Sequence, residues 1–308
     1  MKAPQPATPR AGSALRHYHL GGPMWAVKAW CGSLYTRRAK PADYLAQYSG
    51  VFNTVEGNHT FYGVPSPDAI ERWASEVPDG FRFCFKFPRA ISHDYGLSSS
   101  FAIREARAFT LLMKPIREKL GLLFLQLPPG FGRERLPELE TFLENLPRGY
   151  PYAVEVRNPD FHDGGEIERR FNDLLAAHKA DRALFDTVLL HSLPPDSPAI
   201  VEAQGKKPRA PECFTATGPH PFLRYVGHPE VEPNLERLDR IAGVVAGWIR
   251  DGRKPFVFMH SPGEAAVPEL CRRFHQLLAA KTRPADVGLL GDFPGEMEKR
   301  PSAQMRLL

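Results

Sequence analysis

An alternation of short apolar runs with longer helical patterns extends along most of the chain and restricts the fold more than any other feature. Of eight such runs, five end in a polar residue and two are followed by a proline, and a stretch with helical spacing of its apolar residues comes after most of them. The candidate strands are Tyr18–Trp25, Phe52–Asn58, Phe81–Phe87, Leu122–Leu127, Tyr152–Arg157, Ala183–Asp186, Phe222–His228 and Phe256–His260. Because parallel strands need a crossover between them, this order is typical of a parallel sheet covered by helices.

The stretches between and after these strands carry helix signals. The helical patterns lie at residues 41–50, 66–77, 101–120, 136–146, 166–179, 234–252 and 268–281. Ser66 followed by Pro67 predicts a helix start, Gly252 predicts a helix end, and Pro115 should kink or divide the third helix. The sixth connection, 187–221, is long and rich in proline, and we expect a short helix only around 198–204. Long loops of this kind often belong to the active face of a barrel.

The number of strand and helix units favours a single (β/α)8 barrel, the TIM barrel of the α/β class. An open doubly wound sheet is less suitable, because the eight units and a core of roughly 250 residues match the barrel. The sequence also lacks G-x-G-x-x-G and the P-loop. We expect one barrel domain over 17–282, with a disordered tail at 1–16 and a flexible tail at 283–308, because both ends lack a sustained apolar period.

Composition excludes several classes of protein. With 43% hydrophobic residues among 308, the chain can bury a large core, and a formal charge of +5 is well short of a dedicated nucleic-acid binder. The four cysteines form no C-x-x-C pair, so neither a zinc site nor a redox dithiol is predicted, and a reducing cytoplasm is the expected setting. We expect neither export nor membrane insertion, because no long apolar run is present.

Strand parity predicts which side chains face the barrel interior. Side chains alternate across a strand, so Phe83 and Phe85 suit the helix layer and leave Arg82, Cys84 and Lys86 for the interior. The polar residues that fall on the interior parity near the carboxyl-terminal strand ends are Glu56, Asn58, Lys86, Gln126, Glu155, Arg157, Asp186, Arg224, His228 and His260. A purely structural interior would use Val, Ile and Leu, so this ring indicates a ligand site at the mouth, where barrel enzymes place their chemistry. The structural alternative is a self-neutralising network of ion pairs.

Our leading hypothesis is an enzyme that binds a small polar, anionic or sugar-like substrate in the mouth and uses carboxylate acid/base chemistry. The candidate catalytic residues are Glu155, Glu56, Asp186, His93 and His260. The candidate substrate-binding residues are Trp25, Asn58, Tyr62, Lys86, Gln126, Arg157, Arg224 and His228. The basic run 205–209 in the sixth loop either reaches the same anion or is simply solvated.

Two other function classes stay open. A divalent-metal phosphodiesterase or nuclease-like barrel would take its ligands from Glu155, Asp186, His228 and His260, although the interleaved cations would oppose a metal ion. No cofactor is predicted otherwise. A non-catalytic module would bind nucleic acid or a protein through the modestly basic surface, and its binding would weaken steeply with salt. The oligomeric state is not predicted.

Three segments closely resemble the YecE-like family, a domain of unknown function numbered seventy-two. They are FNTVEGNHTFYGVPSPDAIERWASEVPDGFRFCFKFPRAISHD, GLLFLQLPPGFG and YAVEVRNPDFHD, and the resemblance covers about Tyr18–Lys281. It implies a TIM barrel and no particular reaction, since the family has no established activity. The matching positions are Trp25, Glu56, Asn58, Thr60, Phe61, Tyr62, Lys86, His93, Gln126, Glu155, Arg157 and Asp186. The chain departs from the family pattern at His59, commonly Ser or Thr, and at 260–264, commonly a polar pair with Asn.

Overall fold

The computed structural model describes residues 15–299, in which eight parallel strands curve into a nearly closed barrel. The strands are β1 (His19–Gly21), β2 (Thr54–Gly57), β3 (Arg82–Lys86), β4 (Leu120–Gln126), β5 (Tyr152–Glu155), β6 (Ala180–Asp186), β7 (Phe222–Val226) and β8 (Phe256–His260). Neighbouring strands pair in the order β1-β8-β7-β6-β5-β4-β3-β2, every pair in parallel register. The predicted (β/α)8 class is confirmed.

The barrel closes between β1 and β2 through the hydroxyl group of Tyr48. This hydroxyl accepts a hydrogen bond from Gly22 N at 2.7 Å and donates one to Thr54 O at 3.0 Å. Glu56 N also donates to Gly22 O at 3.0 Å. The two backbones approach so closely that a Cβ at Gly21 would collide with Thr54 O and the Tyr48 hydroxyl. Closure at this seam therefore depends on a buried side chain as well as on the backbone.

Helices cover the outside of the sheet and follow most of the strands. They are α1 (Pro41–Ser49), α2 (Pro67–Glu76), α3 (Ser100–Leu112), α4 (Leu136–Glu144), α5 (Glu166–Ala177), α6 (Pro198–Lys206), α7 (Leu235–Arg250) and α8 (Val267–Ala279). Ser66 caps α2 by accepting a backbone N–H of its first turn at 3.2 Å. Gly252 follows α7 with a φ of 79°. Pro115 lies in a 3-10 segment, Lys114–Lys119, after α3 has ended, so the predicted division of this helix is confirmed.

Helical structure continues beyond the predicted domain boundary at 282. Two further helices follow, α9 (Pro284–Val287) and α10 (Pro294–Met297), and Val287 in α9 and Phe293, just before α10, are buried in the core. The Arg272 guanidinium lies 3.7 Å from the centre of the Phe293 ring. The sequence did not indicate these two helices, because four-residue helices are too short to show an apolar period. The flexibility of 283–308 stays a prediction. The remainder of the predicted tails, 1–14 and 300–308, lies outside the described residues.

The barrel interior is filled with apolar side chains, half of them aromatic. The interior cluster contains Cys84, Leu122, Phe124, Ala153, Ala183, Phe222, Phe256 and Phe258. Its members confirm the predicted parity of β3 and β5. Because these residues fill the middle, polar side chains are confined to the two ends of the barrel. No helix within 15–299 combines the length and apolar character needed to cross a bilayer.

Candidate functional site at the carboxyl-terminal mouth

Arg224 lies in the mouth and binds two buried glutamates. Its Nε and Nη2 donate to Glu56 Oε2 and Oε1 at 2.9 and 2.7 Å, and its Nη1 donates to Glu155 Oε2. Burial alone would raise the pKa of both carboxyl groups, but Arg224 and neighbouring cations outweigh it and leave both pKa values lowered. Both glutamates are therefore ionised at neutral pH, as charge-assisted hydrogen bonds require.

Arg157 and His260 complete this network. Glu155 Oε1 accepts from Arg157 Nε at 2.7 Å, and Glu56 Oε2 lies 3.0 Å from His260 Nε2. The two carboxylates are thus matched by two guanidinium groups. This part of the ring agrees with a self-neutralising network, in which the glutamates position the arginines.

Lys86 is the exception to this balance. Its Nζ donates to Gln126 Oε1 at 2.8 Å and lies 3.6 Å from the centre of the Phe61 ring. The residue is 7% exposed, and within 15–299 no carboxylate lies within ion-pair distance of it. Burial, followed by the charge of Arg224, lowers the pKa of Lys86 to about 7. Its amine therefore exchanges a proton near neutral pH.

His93 lies beside Lys86 on the segment after β3. It belongs to a π-helical turn, Ala90–Asp94, and its Nδ1 lies 2.7 Å from Ser92 Oγ. Its ring packs edge-on against Phe61 at 5.2 Å between centres. Burial, followed by the positive charge of Lys86, lowers the pKa of His93 to about 4. The imidazole is therefore neutral at pH 7 and available for a hydrogen bond.

The sixth loop folds over one side of the mouth. Leu190 and Ala203 of this loop pack against Phe185 and Val226 at the ends of β6 and β7. Beyond α6, the charge of Lys207 acts on the mouth network, and burial lowers its pKa. The structure thus brings one residue of the basic run 205–209 towards the site.

Glu264, in the loop after β8, was missed by the sequence reasoning. Its backbone has a φ of 59°, and its carbonyl oxygen accepts a hydrogen bond from Trp30 Nε1 at 2.8 Å. Its Oε2 is buried without a hydrogen-bond partner in the described part of the chain. Burial raises the pKa of Glu264, while His260 and Lys207 oppose that rise. The available signal was an acidic residue in a loop at the carboxyl-terminal face of a barrel, within the segment that departs from the family pattern.

Asp186 lies outside the mouth, contrary to the prediction. Its Oδ2 accepts from Arg237 Nε at 2.9 Å, and Arg237 Nη2 lies 2.7 Å from the same oxygen. Ala183 and Phe185 take the interior positions of β6, so the next side chain faces α7. Burial raises the pKa of Asp186. The interior position instead supplies the Phe185 ring, which lies 4.9 Å from the Arg157 guanidinium carbon.

Trp25, predicted to contact the substrate, lies on the helix side of the sheet. Its ring packs against Trp73 at 5.4 Å and Phe83 at 6.2 Å, both on the helix side of the sheet. It borders a cavity of about 430 Å³ near α1 and α2 and does not form a wall of the mouth. An aromatic side chain with a large apolar surface is more stable in such a packed position.

Three other candidate residues have local roles. Tyr62 is 85% exposed and touches Phe61 with its ring edge. Asn58 Nδ2 lies 3.5 Å from the carbonyl oxygen of Pro23. His228 Nδ1 accepts a hydrogen bond from the backbone N–H two residues later at 2.9 Å. Their predicted contacts with a substrate stay predictions.

The alternative metal-ligand set does not converge. Asp186 faces α7, and the carboxylate of Glu155 is held by Arg157 and Arg224. Among residues 15–299 there is no group of three or more His, Cys, Asp and Glu side chains arranged to hold a metal ion. Within 15–299 the structure does not bring Glu155, Asp186, His228 and His260 together as one ligand set, and the metal-dependent alternative stays a prediction.

A nearly closed parallel barrel with charged side chains at its carboxyl-terminal end defines a TIM-barrel protein of the α/β class. Within this class, the chain belongs to the family of proteins of unknown function DUF72, whose model matches residues 19–291. It is 35% identical over 276 residues to UPF0759 protein YecE of Escherichia coli strain K12, covering 90% of this chain and 97% of that protein. The protein of the same name from Escherichia coli O157:H7 is 34% identical over 276 residues. The predicted family is confirmed.

Solved structures of this family share the fold. A DUF72 family protein from Thermotoga maritima MSB8 has a TM-score of 0.65 at 22% identity, over 85% of this chain and 98% of that one. A DUF72 family protein from Enterococcus faecalis V583 has a TM-score of 0.62 at 19% identity, over 85% and 98% of the two chains. These likenesses support the barrel and assign no reaction.

Proposed function

We propose that the protein is an enzyme that binds a small polar anion, such as a carboxylate or a sugar phosphate, at the carboxyl-terminal mouth. The observation that carries this proposal is the position of Lys86. It is a buried amine with a neutral amide oxygen as its partner, beside glutamates whose charge two arginines already balance. A buried ammonium group without a counter-ion is unfavourable, so an anionic ligand would stabilise its charged form.

In this proposal the side chains of the mouth divide into two groups. Glu56 and Glu155 keep Arg224 and Arg157 in place, and Arg157 and Lys86 contact the anion. Preorganised cations in a site that excludes water interact with a charged substrate more strongly than they would in bulk water. The sixth loop helps to exclude water by packing over the mouth.

Proton transfer is assigned to Lys86, His93 and Glu264. Lys86, with a pKa of about 7, both accepts and donates protons near neutral pH. Neutral His93 supplies a hydrogen-bonding or basic nitrogen, and Glu264 is assigned as the proton donor because burial raises the pKa of its carboxyl group. The expectation that Glu56 or Glu155 exchanges the proton is replaced here, because their pKa values are lowered.

The anion contact makes binding depend on pH. The charges that act on Lys86 are Arg224, Glu155, Arg157 and Glu56. Because the protonated amine attracts an anion and the neutral amine does not, affinity should fall as pH rises through about 7. A neutral sugar would show no such loss.

Ligand binding is tested by thermal shift and calorimetry with glucose 6-phosphate, oxaloacetate, glucose and a single-stranded DNA oligonucleotide. A ligand that binds the folded state raises the unfolding midpoint. We expect oxaloacetate, which carries no phosphate group, to stabilise the wild type and Lys28→Gln, a matched loss of charge at an exposed site, but not Lys86→Gln. Equal stabilisation of Lys86→Gln would overturn the assignment of Lys86. Binding of DNA alone, with a steep loss in salt, would favour the nucleic-acid-binding module instead.

Turnover needs a separate measurement. The protein is incubated with a deproteinised metabolite extract, and mass spectrometry compares the wild type with Lys86→Gln. We expect at least one anionic metabolite to be consumed only by the wild type. If binding is found but no metabolite changes, the site is a binding site and the enzymatic proposal is overturned.

We propose that this activity belongs to the cytoplasm. Cys31, Cys84, Cys213 and Cys271 are free thiols, which suits a reducing compartment. Fractionation of cells that produce the protein tests this: recovery in an oxidising compartment or with membranes would contradict it.

A further inference from the structure

A cluster of basic side chains lies at the opposite end of the barrel, around the amino-terminal strand ends. A cavity of about 530 Å³ opens there between β1, β3, β4 and β8 and the segment that precedes β1. Its basic lining residues are Arg16, His17, His19, Arg82, His220 and Lys254. No Asp or Glu side chain of the described residues lines this cavity. The two other cavities described lie beside it, sharing Pro151 and His220, and near α1 and α2.

Among the described residues, the positive charge in this cavity is compensated by a carboxylate at ion-pair distance only at His220, whose Nδ1 lies 3.6 Å from the buried Asp181 Oδ2. Within 15–299, Arg16, Arg82 and Lys254 have no carboxylate at ion-pair distance. Arg82 uses Nη1 to donate to the carbonyl oxygens of Asp79 and Phe81 at 2.7 and 2.9 Å, so these partners carry no charge. Like charges gathered in a concave site raise the local positive potential, which favours an anionic ligand.

His19 adds an unsatisfied polar atom to the same cavity. Its ring stacks on Phe256 with 4.1 Å between the ring centres, and its Nδ1 is buried without a hydrogen-bond partner in the described chain. Burial, followed by the charges of Arg82, His220 and Lys254, lowers the pKa of His19 to about 3. A neutral imidazole can place its N–H on either nitrogen, so Nδ1 can donate to an oxygen of a ligand.

We propose that this amino-terminal cavity is a second ligand site, which binds a small oxyanion of the phosphate class. Arg82 and Lys254 supply the charge contacts, and His19 Nδ1 supplies a hydrogen bond. A phosphate group suits these residues because it is compact, carries up to two charges and offers several acceptor oxygens. The ligand is inorganic phosphate or the phosphate group of a larger molecule, and its remainder would extend to solvent past Arg16 and His17.

The site is independent of the mouth. The interior cluster that includes Phe124, Phe222, Phe256 and Phe258 fills the barrel between the two ends. A ligand bound below this layer therefore contacts neither Lys86 nor Arg157. For the same reason, this inference does not rest on the enzymatic proposal.

The test uses inorganic phosphate at constant ionic strength, with chloride as the competing salt. Histidine is labelled with ¹³C at Cε1, and the signals are assigned through single His→Gln variants. We expect saturable shifts of the His19 and His220 signals, while the His260 signal at the mouth stays unchanged. Arg82→Gln and Lys254→Gln should each weaken this binding at least tenfold, and the exposed control Lys28→Gln should not change it.

Three outcomes would overturn the proposal. They are the absence of saturable shifts at His19 and His220, shifts of the same size in chloride, and unaltered affinity in Arg82→Gln and Lys254→Gln. Lys254 is exposed, so its variant should fold normally even where Arg82→Gln is destabilised. Phosphate that shifts His93 or His260 but not His19 would bind at the mouth, which contradicts this site and leaves the other proposal intact. Glucose 6-phosphate in place of phosphate distinguishes a free ion from a phosphate ester.

Discussion

Arg224 binds both carboxylate oxygens of Glu56, at 2.9 and 2.7 Å, where Glu56 is fully buried. Removing one partner of a buried ion pair leaves the other charge without compensation. We therefore expect Glu56→Gln to lower the free energy of unfolding by about 3–5 kcal/mol, as measured by urea denaturation. Glu202→Gln is the control: it removes an exposed carboxylate paired with Lys206 and should leave the free energy unchanged. Similar free energies of unfolding for both variants would mean that the Arg224–Glu56 ion pair contributes little to stability.

Lys86 should make stability depend on pH above neutrality. Its pKa is about 7 in the folded protein and 10.5 ordinarily, so between these values the unfolded chain holds a proton that the folded protein has released. Stability from this group therefore rises with pH across this range, by at most about 1.4 kcal/mol per pH unit. In Lys86→Met this contribution is absent, and the free energy of the wild type relative to the variant should increase from pH 7 towards 10.5. A constant difference in denaturation free energy would contradict the lowered pKa.

Much of the fold and part of the site could be predicted because β3, β5 and β7 alternate clearly between apolar and polar residues. This alternation placed Lys86, Glu155 and Arg224 in the interior, as the structure has them. The prediction from alternation failed at the end of β6. Phe185 occupies the interior position there, and Asp186 faces α7 and pairs with Arg237. The strand predicted from the sequence was only Ala183–Asp186, and four residues contain too little alternation to show which side chains face the interior.

Residues of the loops could not be placed from the sequence for a different reason. The positions of Lys207 and Glu264 depend on how the sixth and eighth loops fold against the barrel, through contacts such as that of Trp30 Nε1 with Glu264 O. Such contacts join residues far apart in the chain, and local pattern does not encode them. Trp25 shows the same limit, since packing against Trp73 decided its direction.

The corrected position of Asp186 can be tested through the pKa of Lys86. Glu155 raises that pKa, so Glu155→Gln should lower it below about 7, because the neighbouring arginines then act unopposed by this carboxylate. Asp186→Asn removes an equal charge on the helix side and should leave the Lys86 titration unchanged. The titration is followed by NMR of lysine labelled at Cε, with circular dichroism to verify folding. Equal shifts in both variants would show that Asp186 acts on the mouth after all.

The seam between β1 and β2 gives a prediction that concerns the barrel itself. In Tyr48→Phe the backbone N–H of Gly22 loses its acceptor at 2.7 Å, and Thr54 O loses a donor at 3.0 Å. A buried donor left unsatisfied costs about 1–3 kcal/mol, so we expect a loss of that size in the free energy of unfolding. Hydrogen exchange at Gly22 should also become faster, whereas amides in the middle of β4 should change only as much as global stability does. Tyr95→Phe, at a side chain that is 49% exposed, removes a hydroxyl without a buried role and serves as the control. If Gly22 keeps its protection in Tyr48→Phe, the backbone alone closes the barrel, and the hydroxyl only fills space at the seam.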